Sequence, residues 1–157
     1  MELTFPKSSH QSGLRLMLRN PHPKKERHGD CGVRAISLAL DLPYNKVWNA
    51  ATQATRRNTP DWRYGGNNEW IKSKATANSG LTRTDMIDTF SILRIFNWDY
   101  VKAPEGTKFV AGNFPDHCIA NLASHYVAVK EGAIWDTWES RGKRAKMLKG
   151  FFYQTSR

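Results

Sequence analysis

The stretch His28-Gly29-Asp30-Cys31-Gly32-Val33-Arg34-Ala35-Ile36-Ser37-Leu38-Ala39-Leu40 places a cysteine where a loop turns into a strongly apolar helix. Beyond Cys31 the polar residues Arg34, Ser37 and, one step past the segment, Asp41 fall on one narrow stripe of a 3.6-residue repeat, so the other faces are expected to be buried. A helix apolar on most sides is the central helix of a domain. Its N-terminus carries unpaired N–H groups and partial positive charge, which favour a thiolate over a thiol and make the sulfur nucleophilic. The competing reading of Cys31 is an ordinary buried thiol, because free cysteine is among the most buried residue types.

Outward from this helix the pattern is regular on both sides. Upstream, residues 14–19 alternate leucine with mostly other side chains and read as a short half-buried strand. Pro21 and Pro23 end it and make residues 20–30 a basic loop that delivers the chain to Cys31. Downstream, a second helix is expected over 43–57, with Tyr44, Val47, Trp48, Ala51 and Ala54 on one face, packed against the first. Residues 58–80 then read as an irregular loop. Trp62, Arg63, Tyr64 and Trp70 in it are candidate contacts to substrate or to stacked nucleic-acid bases, or alternatively anchors that fix the loop to the body.

Thr82-Arg83-Thr84-Asp85 has the form of a helix start, and Met86, Ile87, Phe90 and Leu93 give the apolar face of a third helix to about residue 95. After it the period changes to two. Residues 98–101, 108–111, 118–122, 125–130 and 133–138 read as strands separated by Pro, Gly and Asn. Helices first and strands after imply an α+β domain, with N-terminal helices packed on a C-terminal antiparallel sheet. The whole chain, 1–157, reads as one domain, with a basic lead-in at 1–26 and a basic C-terminal segment at 139–157.

The most informative pair of strands is His125-Tyr126-Val127-Ala128-Val129-Lys130, then Glu131-Gly132, then Ala133-Ile134-Trp135-Asp136-Thr137-Trp138. With Glu131-Gly132 as a two-residue turn, Lys130 opposes Ala133, Val129 opposes Ile134 and Val127 opposes Asp136. His125, Val127, Val129, Ile134, Asp136 and Trp138 then share one side, and His125 and Asp136 become diagonal neighbours whose side chains meet. A carboxylate beside an imidazole orients the ring and stabilises its protonated form, as the general base of a nucleophile requires. Taken singly, His125 is an unremarkable strand-end residue and Asp136 a turn cap. A helix-starting cysteine, a strand-borne histidine and an acid on the adjoining strand make a more specific set.

At these residues the chain resembles the papain-like cysteine peptidase superfamily. Its members carry the nucleophile on an N-terminal helix and the histidine, with an orienting Asp or Asn, on a later sheet. The matching residues are Asp30-Cys31-Gly32 with the apolar helix behind them, His125-Tyr126-Val127-Ala128-Val129 and Asp136-Thr137-Trp138, and from about Arg27 to Phe152 the chain is similar to small phage and bacterial proteins of that fold. The resemblance implies a Cys-His-Asp hydrolase, a peptidase or isopeptidase-like enzyme. Cys31 is then the nucleophile, His125 base and then acid, and Asp136 the orienting residue, with Asp30 and Gly32 supporting the oxyanion site. Amidase and acyl-transferase chemistries occur in the same superfamily. Many members place a glutamine about six residues before the cysteine to hold the oxyanion; this chain has Lys25 there, and its nearest upstream amides are Asn20 and Gln11. The Cys31 N–H remains as one donor and the second is unassigned.

Composition bounds the partners. Lys and Arg total 24 against 14 Asp and Glu, a net charge of +10, concentrated in Lys24-Lys25-Glu26-Arg27 and in the six basic residues after Glu139. Such a field would suit nucleic acid, an anionic membrane face or an acidic protein; the partners expected are a protein or peptide substrate or, for a non-catalytic protein, nucleic acid or an acidic host protein, and as charge runs the same residues also serve as a solvated surface. Two cysteines are too few for a disulfide framework and lack metal-site spacing, so no metal and no cofactor is expected. His117 beside Cys118 is a second cysteine/histidine pair, and His117, Cys118 and His22 or His28 are remote candidates for metal ligands. The absence of an apolar leader and of any run of roughly 20 apolar residues implies no membrane segment and a cytoplasmic protein, in a host cytoplasm if phage-encoded.

Overall fold

The structure is a computed structural model that describes residues 10–24, 29–58, 62–64, 70–72, 76–123, 125–141 and 144–155. Its strands are β1 (Arg15–Leu18), β2 (Trp62–Tyr64), β3 (Trp70–Lys72), β4 (Trp98–Lys102), β5 (Cys118–Leu122), β6 (His125–Lys130), β7 (Ala133–Asp136) and β8 (Leu148–Gln154); its helices are α1 (Cys31–Leu40), α2 (Tyr44–Asn58) and α3 (Arg83–Ile92). The fold is mixed α/β. Six strands form one sheet in the order β1-β7-β6-β5-β8-β4, and β2 and β3 form a separate two-stranded ribbon within the segment expected to be irregular. Among the described residues no helix is long and apolar enough to cross a membrane.

α1 begins at Cys31, as its sequence implies, and every residue from Gly32 to Ala39 is buried. The polar stripe is therefore not a solvent face. Arg34 and Ser37 go inside because each finds a partner there: Ser37 Oγ donates to the Leu42 carbonyl at 2.7 Å, and Arg34 pairs with Asp30 and Thr137. α2 buries Tyr44, Val47, Ala51 and Ala54, the face read from its periodicity. At the start of α3 the Thr82 hydroxyl accepts from the Asp85 N–H while the Asp85 carboxylate accepts from the Thr82 N–H, each at 3.0 Å. This reciprocal cap satisfies two donors that the helix cannot.

The sheet differs from the antiparallel expectation. β1 runs parallel to β7, with Arg15 opposite Ala133 and Leu18 opposite Asp136, so the sheet is mixed. Parallel neighbours need a long crossover, and the helices between β1 and β7 supply it. Residues 108–111 do not form a strand: Lys108 makes an isolated bridge to Met147, and Phe109 is buried by stacking on Phe114. In exchange the C-terminal segment, expected only to be basic, supplies β8, which lies between β5 and β4.

Both faces of the central strands are covered, which explains why β5 and β6 are apolar almost throughout. Ile119, Tyr126, Ala128 and Phe152 meet Val33, Ile36, Met86 and Phe90 of the helices. Cys118, Ala120, Leu122, Val127, Val129 and Ile134 form a second core on the opposite face with Leu14, Phe109 and Leu148. Each buried Val or Ile contributes about 1.5–3 kcal/mol relative to exposure. The two cores hold α1 and the β6–β7 hairpin on a common frame, which is what the site needs.

Candidate active site

The β6–β7 hairpin turns through Glu131 and Gly132, both at positive φ (52° and 72°), the conformation of a type I′ turn. Lys130 pairs with Ala133, Val129 with Ile134 and Ala128 with Trp135, where the recorded ladder ends. His125, Tyr126 and Val127 lie beyond that ladder on β6, with Asp136 at the end of β7. The head of α1 meets this end of the hairpin, where Cys31 interacts with His125.

His125 and Asp136 meet. The His125 Nε2 lies 2.7 Å from Asp136 Oδ2, with both side chains buried. The second carboxylate oxygen accepts from the Thr137 N–H at 2.7 Å, and the buried Ser140 hydroxyl approaches the same group. The Cys31 thiol interacts with the same ring. The Tyr126 backbone amide donates to the same sulfur. Helix, strand and adjoining strand thus bring Cys31, His125 and Asp136 together.

The electrostatics follow from these contacts. Burial pushes the Cys31 thiol up, but the His125 ring, the Tyr126 N–H and the positive charges of His125 and Arg34 outweigh it and hold the pKa below the ordinary thiol value. Burial alone would lower His125; hydrogen bonds and charge from Asp136 and Cys31 reverse this and raise it to about 9. Asp136 is held below the usual carboxylate range because hydrogen bonding to His125, and the charge on that ring, outweigh the opposing effect of burial. Both shifts act in the same direction, toward a thiolate beside an imidazolium.

Cys118 is the contrast within the same chain. It is fully buried, and burial with the nearby Asp116 charge pushes its thiol up to about 12. His117 is not its partner: the ring reaches the Ala39 carbonyl at 2.6 Å and meets Trp98 edge-on. His22 packs against Tyr44, and His28 lies outside the described residues. Among the described residues no three His, Cys, Asp or Glu side chains cluster to hold a metal.

Asp30 and Gly32 have structural reasons for their identity. Asp30 is the N-cap of α1, yet its side chain makes no capping bond. Its carboxylate instead accepts from Tyr44 Oη and pairs with Arg34 Nε at 3.1 Å. The first N–H groups of α1, Cys31 among them, are thus not consumed by the cap and remain for an anion. Gly32 is required by close packing, because a Cβ there would lie 2.7 Å from Leu81 Cδ1 and 3.0 Å from Met86 Sδ. Gly29 is equally tight, its absent Cβ leaving room for the Asn78 carbonyl.

Side chains to which pattern reading gave no role surround the site. Arg34, 5 % exposed, joins Asp30 to Thr137, whose Oγ1 accepts from the guanidinium at 2.5 Å. It ties the residue before Cys31 to the residue after Asp136. Its signal in the sequence is a lone charge on an otherwise apolar helix. Trp138 packs on His125 with ring centroids 5.1 Å apart and helps exclude water from the imidazole–carboxylate bond. Beside Tyr44 a cavity of about 360 Å³ is lined by His22, Pro23, Lys24, Asn45, Trp48 and Asn78, next to the Asp30 end of α1. The side chains of Trp62, Arg63, Tyr64 and Trp70, and Lys25 at the position of the superfamily glutamine, lie outside the described residues.

No protein-family model, no curated protein sequence and no solved structure matches the chain. The chemistry is argued from the geometry.

Proposed function

We propose that the protein is a cysteine-dependent hydrolase of papain-like architecture, a peptidase or isopeptidase-like enzyme. The observation that carries the reading is the His125 ring, bonded through Nε2 to the Asp136 carboxylate at 2.7 Å and interacting with the Cys31 thiol at the head of α1. Cys31 transfers its proton to His125, and the thiolate forms a bond to an acyl carbon while the carbonyl electron pair moves to oxygen. The N–H of Cys31 at the head of α1 donates to that oxyanion. When the intermediate collapses, the C–N bond breaks and the leaving amine takes the proton from His125. Water, deprotonated by the same ring, attacks the thioester; the C–S bond breaks and the carboxylic acid departs. Asp136 keeps the ring oriented and its charged form stable throughout.

The test is chemical. Iodoacetamide and peptide electrophiles should label Cys31 at neutral pH in preference to Cys118, as read by intact and peptide mass, and His125→Ala should slow that labelling by about tenfold or more. Cys31→Ser should abolish turnover of any peptide that the wild type cleaves. Equal labelling of the two cysteines in the folded protein would defeat the reading.

A further inference from the structure

The charges at the rim of the site are unevenly matched. Among the described residues, the carboxylates around the site are already committed: Asp136 to His125 and Thr137, Asp30 to Tyr44 and Arg34, Asp85 to Thr82 and Asn58, and Glu139 to Arg141, which grips both its oxygens at 2.9 and 2.6 Å. Lys146 is different. Its Nζ lies over the Trp138 ring, 5.2 Å from the centroid, and Trp138 in turn packs on His125. Among the described residues no carboxylate pairs with Lys146 at ion-pair distance. An indole holds the lysine but does not neutralise it.

We infer that Lys146 makes the cleft select a substrate with an acidic side chain on the leaving-group side of the scissile bond. The inference rests on the hydrolytic reading of the same site. His125 delivers the proton to the leaving amine, so whatever stands against His125 and Trp138 belongs to the departing half of the substrate. A carboxylate on that half meets a half-buried cation and no competing anion, whereas a lysine there meets like charge. Two unit charges about 5 Å apart at the surface change a rate or affinity by roughly fivefold to tenfold. The +10 charge of the whole chain adds long-range attraction in the same direction.

The experiment compares an anionic and a neutral reagent on one sulfur. Rates of Cys31 alkylation by iodoacetate and by iodoacetamide are measured by intact mass for the wild type, Lys146→Met, Lys146→Glu and the exposed-site control Lys46→Met. The iodoacetate-to-iodoacetamide ratio should fall about fivefold in Lys146→Met and further in Lys146→Glu, while the iodoacetamide rate stays within twofold and Lys46→Met keeps the wild-type ratio. A proteome-derived peptide mixture then reports cleavage sites: Asp and Glu should be enriched after the cut in the wild type, and Lys146→Glu should replace them with Lys and Arg. An unchanged ratio, or a ratio that falls equally in Lys46→Met, overturns the role of Lys146, as does acid enrichment that survives its loss. An iodoacetamide rate no faster at Cys31 than at Cys118 overturns the hydrolytic reading instead, which separates the two failures.

Discussion

Replacing Asp136 by asparagine tests the central electrostatic argument most directly. Asparagine preserves the size of the side chain and an oxygen to accept from His125 Nε2, which Asp136 Oδ2 now does at 2.7 Å, but it removes the charge. The histidine stands about 2.5 units above its ordinary 6.5, at about 9, and among the causes that raise it the Asp136 hydrogen bond is the largest. Loss of the Asp136 charge therefore lowers His125, each unit being worth about 1.4 kcal/mol of preference for the imidazolium. With less positive charge opposite, Cys31 must then titrate closer to its ordinary value of 9.0. The acid limb of the alkylation profile should therefore move up by about one pH unit, with a rate roughly tenfold lower on that limb, while the two proteins converge above about pH 10 where either thiol is ionised. Iodoacetamide labelling followed by mass across the pH range reads this directly, with near-ultraviolet circular dichroism confirming the fold. A profile superimposable on that of the wild type would refute the coupling of carboxylate, ring and sulfur.

Three further outcomes follow from particular contacts. Arg34→Met leaves the Asp30 carboxylate buried without its cation and should lower the unfolding free energy by about 3–5 kcal/mol in urea denaturation; adding Asp30→Asn should recover part of the loss, and equal stability of Arg34→Met and wild type would deny the buried pair its role. Gly32→Ala drives a methyl group into Leu81 and Met86 and should cost about 1–3 kcal/mol, measured as a lower urea midpoint at unchanged slope. Trp138→Ala opens the His125–Asp136 bond to water, so labelling of Cys31 at neutral pH should slow by several-fold with little change in unfolding midpoint; an unaltered rate would show that the indole shields nothing.

The helix at Cys31, the Thr82 cap and the β6–β7 hairpin were legible because each carries its own local instruction: a near-continuous apolar run, a hydroxyl three residues before an acid, and a glycine in a two-residue turn. The meeting of His125 with Asp136 follows from that turn once the register is counted. What escaped depended on contacts between distant segments. Arg34 and Ser37 looked like a wet stripe because periodicity counts polarity and does not see that Thr137 and the Leu42 carbonyl wait inside. β8 was hidden by lysines and a glycine, although Leu148 and Phe152 are both buried, one in each of the two cores. The parallel pairing of β1 with β7 is a matter of topology, which a four-residue strand does not encode.

The junction between the head of α1 and the β6–β7 hairpin also makes the sulfur a clock for assembly. Its acid-shifted reactivity belongs to neither the rod nor the ribbon separately and appears only when the two have docked. Timed pulses of alkylating reagent during refolding would consequently register that docking as an event of its own, separable from the earlier appearance of helix.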